Sequence, residues 1–145
     1  MDFVSWFLSL LGLKFDAETR RADRRAEAYR LVSEVAGDAG RALDIIAMET
    51  PRLSRRCAEI CPDQPAVRES MLQVMNEQRE AASKILAMAD DYKTKIAKGK
   101  NGIDWENLVM RLQEWRATAA RMPPWVEGLV QRYDKVLAEA APPNH

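Results

Sequence analysis

Apolar residues recur along this chain in steps of three and four over almost its whole length, a rhythm that suits helices and little else. From Trp105 the series runs Leu108, Leu112, Trp115, Ala119 and Met122, which sets one apolar side chain on the same helical face at every turn. No alternating β-branched run, the pattern of a half-buried strand, interrupts it. With 145 residues, 47% of them apolar and 30% charged, the chain has the balance of an ordinary globular protein. A single domain of that length buries enough surface to fold without a metal or a disulfide. The expectation is all-α: an antiparallel bundle of four main helices, with a short apolar N-terminal helix and one short connecting helix.

Turn and capping residues divide the pattern. A first helix covers residues 3–13. Asp16, a good N-cap, opens a second that runs to about Glu49. One apolar line of this second helix is Ala22, Ala26, Tyr29, Val32, Ala36, Ala39, Leu43 and Ile46. Beside it lies another of Ala28, Leu31, Val35, Ala42 and Ile45, interrupted by Asp38. Two lines imply two packing neighbours. Gly37 and Gly40 sit inside this helix, where each costs about 1 kcal/mol relative to alanine; they are tolerable if another backbone approaches closely there, and otherwise they mark a kink. Thr50-Pro51 reads as an N-cap followed by proline at the first helical position, so a short connecting helix is expected there, carrying Leu53, Cys57, Ile60 and Cys61 inward. Asp63 or Gln64 then caps a long helix with Pro65 in its first turn, and Gly99-Lys100-Asn101-Gly102 is the clearest turn. Asp104 caps the next helix, and Pro123-Pro124 stops or sharply kinks it. The last carries Val126, Leu129, Tyr133, Val136 and Ala140. The domain reading is an apolar amphipathic helix in 1–15, a bundle in 16–141 and a tail in 142–145.

Charge and chemistry exclude more than they assign. Acidic and basic residues balance at 22 each, so a dedicated nucleic-acid binder, which depends on neutralising phosphates, is disfavoured. Cys57 and Cys61 are too few for a disulfide framework and fit a reduced, cytoplasmic setting. As a metal site they lack partners, since a closed zinc site wants four ligands and the lone histidine is His145. They read as small buried hydrophobes. The inward Glu-x-x-His pairs of di-iron bundles are absent. Glu77 and Glu80 form only half of the paired carboxylate motif of the all-helical nucleotide pyrophosphohydrolases, because Glu106 is followed three positions on by Val109. A solvated helix face is the better reading. No nucleophile with a general base, no phosphate-cradling loop and no dinucleotide fingerprint occurs. The chain is therefore expected to be non-enzymatic, with no cofactor and no small-molecule substrate indicated. Fifteen arginines to seven lysines, with many alanines, fit a GC-rich bacterial or phage genome.

The N-terminal segment is the exception to this ordinary picture. On a helical projection Asp2, Ser5, Ser9 and Gly12 occupy a wedge only about 80° wide, and the rest of the circumference is apolar. A helix packed on one neighbour needs a stripe of only about 100°. Phe3, Trp6, Phe7, Leu10 and Leu11 are the expected contact residues for something outside the fold. The run is a poor secretory signal, lacking a basic leader and a small-residue cleavage site. At about 16 Å as a helix it is too short to span a bilayer core of about 30 Å. A basic collar of Lys14, Arg20, Arg21, Arg24 and Arg25 follows, with acids interspersed. Two readings stand: local ion pairing on a surface helix, or a collar at anionic lipid headgroups while the apolar helix lies in the interface. Trp105 and Trp115 are expected in the core, whereas Trp125 fits either core or surface. The favoured function is a helical protein–protein interaction or regulatory module that docks or self-associates through its N-terminal helix. The alternative is peripheral membrane association at the inner face of a membrane, and a second, less favoured one is an enzyme with a carboxylate-only metal site.

Overall fold

The computed structural model describes residues 3–99 and 102–143, with their side chains from Thr19 onward. It contains four helices, α1 (Phe3–Ile60), α2 (Pro65–Lys98), α3 (Trp105–Ala120) and α4 (Met122–Ala140), and no strand occurs among the described residues. The all-α expectation holds. The layout, however, is three rods and not four main helices with two additions.

α1 is the shared wall of the bundle. α2 returns antiparallel along it, and α3 and α4, parted only by Arg121, follow one another as a third rod. α1 packs against all three other helices, whereas α2 only brushes α4. Two core clusters record this register. Ala28, Leu31, Val32 and Val35 of α1 meet Ala89 and Ile96 of α2 and Val109, Leu112 and Ala119 of α3. Further along, Ala42, Ile46, Leu53 and Cys57 of α1 meet Met71, Met75 and Ala82 of α2 and Val126, Val130 and Leu137 of α4. The third rod therefore runs parallel to α1. Fully buried alanines at positions 28, 39, 42, 82, 89 and 119 let the helix axes come close.

The two-neighbour reading of α1 is right in kind, since its buried arc is wide. Its first residues are misassigned. Ala22 and Ala26 are exposed and Tyr29 is 47% exposed, so the inner line begins at Ala28. Asp38 belongs to that inner arc, with its carboxylate taken by Arg41 one turn on.

Thr50-Pro51 does not open a new helix. Pro51 lies inside α1, a single helix of 58 residues that takes in the expected N-terminal, second and connecting helices. The physical reason is the apolar line. Leu53 and Cys57 follow Ile46 at seven and four residues and are 0% and 1% exposed, so continuing the helix buries both. That gain outweighs the missing backbone donor of proline.

Other signals read correctly. Asp104 accepts a hydrogen bond from the Asn107 N–H at 3.2 Å, as an N-cap should. Pro65 opens α2, although Gln64 at its cap position makes no side-chain bond. Gly99, at φ 56°, ends α2 in the left-handed conformation and donates its N–H to the Ile96 carbonyl. The proline pair opens α4 and so breaks the third rod. In α3, Leu112 and Ala119 are buried with Val109, while Trp105, Leu108 and Trp115 pack half-buried on the cluster. Tyr92 meets the Trp115 ring edge-on at 5.1 Å, a favoured aromatic geometry. The line proposed for α4 is displaced: Val126, Val130 and Leu137 are buried, and Val136 is 57% exposed.

No backbone crowds Gly37 or Gly40 of α1. A methyl group at Gly37 or Gly40 would meet nothing within 4 Å, so close helix approach is not why they are there. Gly37→Ala and Gly40→Ala should each stabilise the fold by up to about 1 kcal/mol from helix propensity alone. A urea titration with an unchanged m-value is the check, and a loss of stability at either position would refute the open-surface geometry.

Candidate interaction surfaces

The contact residues expected from the sequence, Phe3, Trp6, Phe7, Leu10 and Leu11, and Lys14 of the collar, have side chains outside the described residues. The surface they precede is described. In residues 19–26 every side chain is exposed, and the first buried one among the described side chains of α1 is Ala28.

The rest of the collar is divided among different tasks. Arg25 donates from Nε to the Ile96 carbonyl at 3.1 Å and from Nη2 to the Ala97 carbonyl at 2.5 Å. It thereby adds a side-chain donor to the last-turn carbonyls of α2, that of Ile96 also accepting from Gly99, and sets a cation against the negative end of that helix. The guanidinium lies so close over Gly99 that an added Cβ would sit 2.8 Å from it. Arg24 pairs with Glu27 at 2.9 Å. Arg20, Arg21 and Arg24 share a shallow groove of about 210 Å³ with Asp104 and Glu106 at the start of α3. The collar is therefore a mixed-charge end of the bundle. Charge does not accumulate there.

A second surface was not singled out from the sequence. Trp125 and Val136 on α4 are 53% and 57% exposed, and Leu129 between them is half-buried. Spacings of four and seven place all three on one side of the helix. The Arg132 guanidinium lies over the Trp125 ring at 5.2 Å from its centre, a contact that favours a cation on an aromatic face. The same line was legible as Trp125, Leu129, Arg132 and Val136, but Leu129 and Val136 were assigned to the core seam instead.

Two further features are structural. Arg52 grips Asp134 with both terminal nitrogens, at 2.9 and 2.7 Å, and Glu49 with Nε at 2.5 Å; Arg56 adds a 2.6 Å contact to Asp134. This clamp joins α1 to α4. The hydrogen bond from Arg52, with that from Arg56, holds the Asp134 carboxyl below the usual carboxylate range against the opposing effect of burial. The clamp's contribution is present above the ordinary carboxylate pKa and is lost as pH falls through the lowered folded value. Asp134→Asn should cost about 1–2 kcal/mol at neutral pH and flatten the decline of stability below about pH 4. Thermal melts from pH 7 to pH 2 would show both, and an unchanged acid limb would contradict the clamp. Cys57 is the other feature. Burial, with Cys61 nearby, pushes its thiol pKa up, so it stays in its unreactive form, as its reading as a small hydrophobe requires.

Among the described residues no group of three or more His, Cys, Asp or Glu side chains is placed to hold a metal ion, and no helix is long and apolar enough to cross a membrane. No protein-family model matches the chain, and neither a curated protein nor a solved structure does.

Proposed function

We propose that this chain is a non-enzymatic helical interaction module whose N-terminal segment, through Phe3, Trp6, Phe7, Leu10 and Leu11, docks on a protein surface. The observation that carries this reading is the apolar excess of residues 3–13, set ahead of a stretch, residues 19–26, in which the bundle buries no side chain. Apolar surface beyond what one neighbour can cover seeks a further partner. The mixed charge at the neighbouring bundle end supports protein over lipid. Arg25 is engaged with α2 carbonyls, and Asp104 and Glu106 flank Arg20, Arg21 and Arg24, whereas an anionic membrane rewards an uncompensated cluster of cations.

Deleting residues 1–14 should leave the helical signal of residues 19–143 and its cooperative melt intact while abolishing association. Circular dichroism and sedimentation velocity, run together, read the two effects. Association that survives the deletion would end this reading. Membrane attachment is the rival, favoured by the exposure of Arg20, Arg21 and Arg24. Flotation with vesicles rich in phosphatidylserine decides between them: salt-sensitive flotation, lost in Trp6→Glu, would replace protein docking with lipid docking.

A further inference from the structure

Two polar side chains on the groove between α1 and α2 depart from what their kind does elsewhere in the molecule. Ser33, Thr94 and Thr118 each donate a hydroxyl to the carbonyl four residues back, the ordinary outlet for such a group inside a helix. Thr50 does not. Its Oγ1 is shut away from solvent with no hydrogen-bond partner. Across the groove, Arg79 donates to the Asn76 Oδ1 at 2.6 Å and forms no ion pair among the described residues, whereas Arg24, Arg30 and Arg116 each hold a carboxylate.

Both groups border one groove of about 490 Å³, walled by Ile46, Pro51, Leu72 and Met75. An apolar trough with an unused hydroxyl and an unpaired guanidinium at its edge is a place where local rules fail together, as they do at binding sites. From this coincidence we infer a site for a small aliphatic carboxylic acid, its chain along Ile46, Leu72 and Met75 and its carboxylate between Arg79 and Thr50.

Each part of such a ligand answers a feature of the groove. The walls favour a hydrocarbon chain in proportion to the area it covers. From Leu72 to Arg79 the trough runs about 10 Å along α2, room for an extended chain such as that of octanoate. The planar fork of the guanidinium matches a carboxylate. Held by no bond of its own, the Thr50 hydroxyl is free to turn about χ1 and donate to the same group. The site involves none of residues 3–13, so it stands or falls apart from their docking.

Calorimetric titration of the full chain with octanoate tests the site, with octanol as the uncharged counterpart. Octanoate should bind with a dissociation constant of about 0.1–1 mM, and octanol about tenfold more weakly. Arg79→Gln should weaken octanoate by about tenfold and leave octanol unchanged. Thr50→Val should weaken octanoate by about threefold or more with no loss of fold stability, because it removes a buried hydroxyl that has no partner. Methyl resonances of Ile46, Leu72 and Met75 should shift on titration. Ala47→Trp fills the groove from an exposed position outside both core clusters. With helicity confirmed by circular dichroism, it should abolish binding. No binding up to about 10 mM would overturn the inference. Equal affinity for octanol, octanoate binding that survives Ala47→Trp, or shifts centred on Trp125, Leu129 and Val136 would do so too, since each marks hydrocarbon adsorbing on exposed apolar surface.

Discussion

Leu53→Ala should cost about 3–4 kcal/mol. Leu53 is 0% exposed and sits in the cluster where α1 meets Met71 and Met75 of α2 and Val126 of α4. Removing a buried leucine forfeits its transfer free energy and leaves a cavity that a close-packed interior only partly refills. Methionines can rearrange into such a space, which argues for the middle of the usual range and not its upper end. Against a total stability of about 5–15 kcal/mol, the loss is a large fraction. A urea titration with a shared m-value would measure it. A cost below about 1 kcal/mol would mean that α1 past Pro51 does not dock as described, since Leu53 is the first fully buried residue after the proline.

What the sequence made legible was local chemistry with one dominant cause. Asp104 as a cap, the glycine turn after Lys98 and the proline pair before Trp125 are each fixed by what a few neighbouring backbone groups can do. Periodicity likewise settled the class, and the two apolar lines of α1 anticipated its two neighbours. The rod count was misread for a different reason. Counting four main helices treats Pro123-Pro124 as a change of direction, yet α3 and α4 follow the same groove of α1. A short break can interrupt hydrogen bonding without turning the chain, and only contacts distant in sequence distinguish the two.

The surfaces follow the same division. Trp125, Leu129 and Val136 lie one helical step from the buried line of Val126, Val130 and Leu137. Two neighbouring apolar lines on one helix do not say which faces inward. That choice belongs to α1, which offers Arg52 and Arg56 to Asp134 and so fixes the rotation of α4. The collar was read as one feature because its arginines are adjacent in sequence. Its members separate in space because successive residues on a helix point about 100° apart, and only Arg25 is aimed at the end of α2.

Pro51→Ala should raise stability by about 2 kcal/mol, and its sign is the more telling part. At the first position of a helix, proline loses nothing, because that N–H has no helical partner and the ring already holds the required φ. Alanine there would be neutral or slightly worse. In a helix interior, proline forfeits the bond to the carbonyl four residues back and crowds it, a penalty of about 3 kcal/mol. Here that carbonyl belongs to Ala47, inside α1. Restoring the bond recovers most of the penalty, but the more flexible unfolded chain takes back about 1 kcal/mol. The net remains positive. The site has room for the change, since Ala47, Thr50 and Pro51 border a groove of about 490 Å³ between α1 and α2. Thermal melts of Pro51→Ala and Leu53→Ala, singly and together, separate the two accounts. A continuous helix predicts a gain from the first that partly offsets the loss from the second. A joint at Thr50 predicts no gain at all.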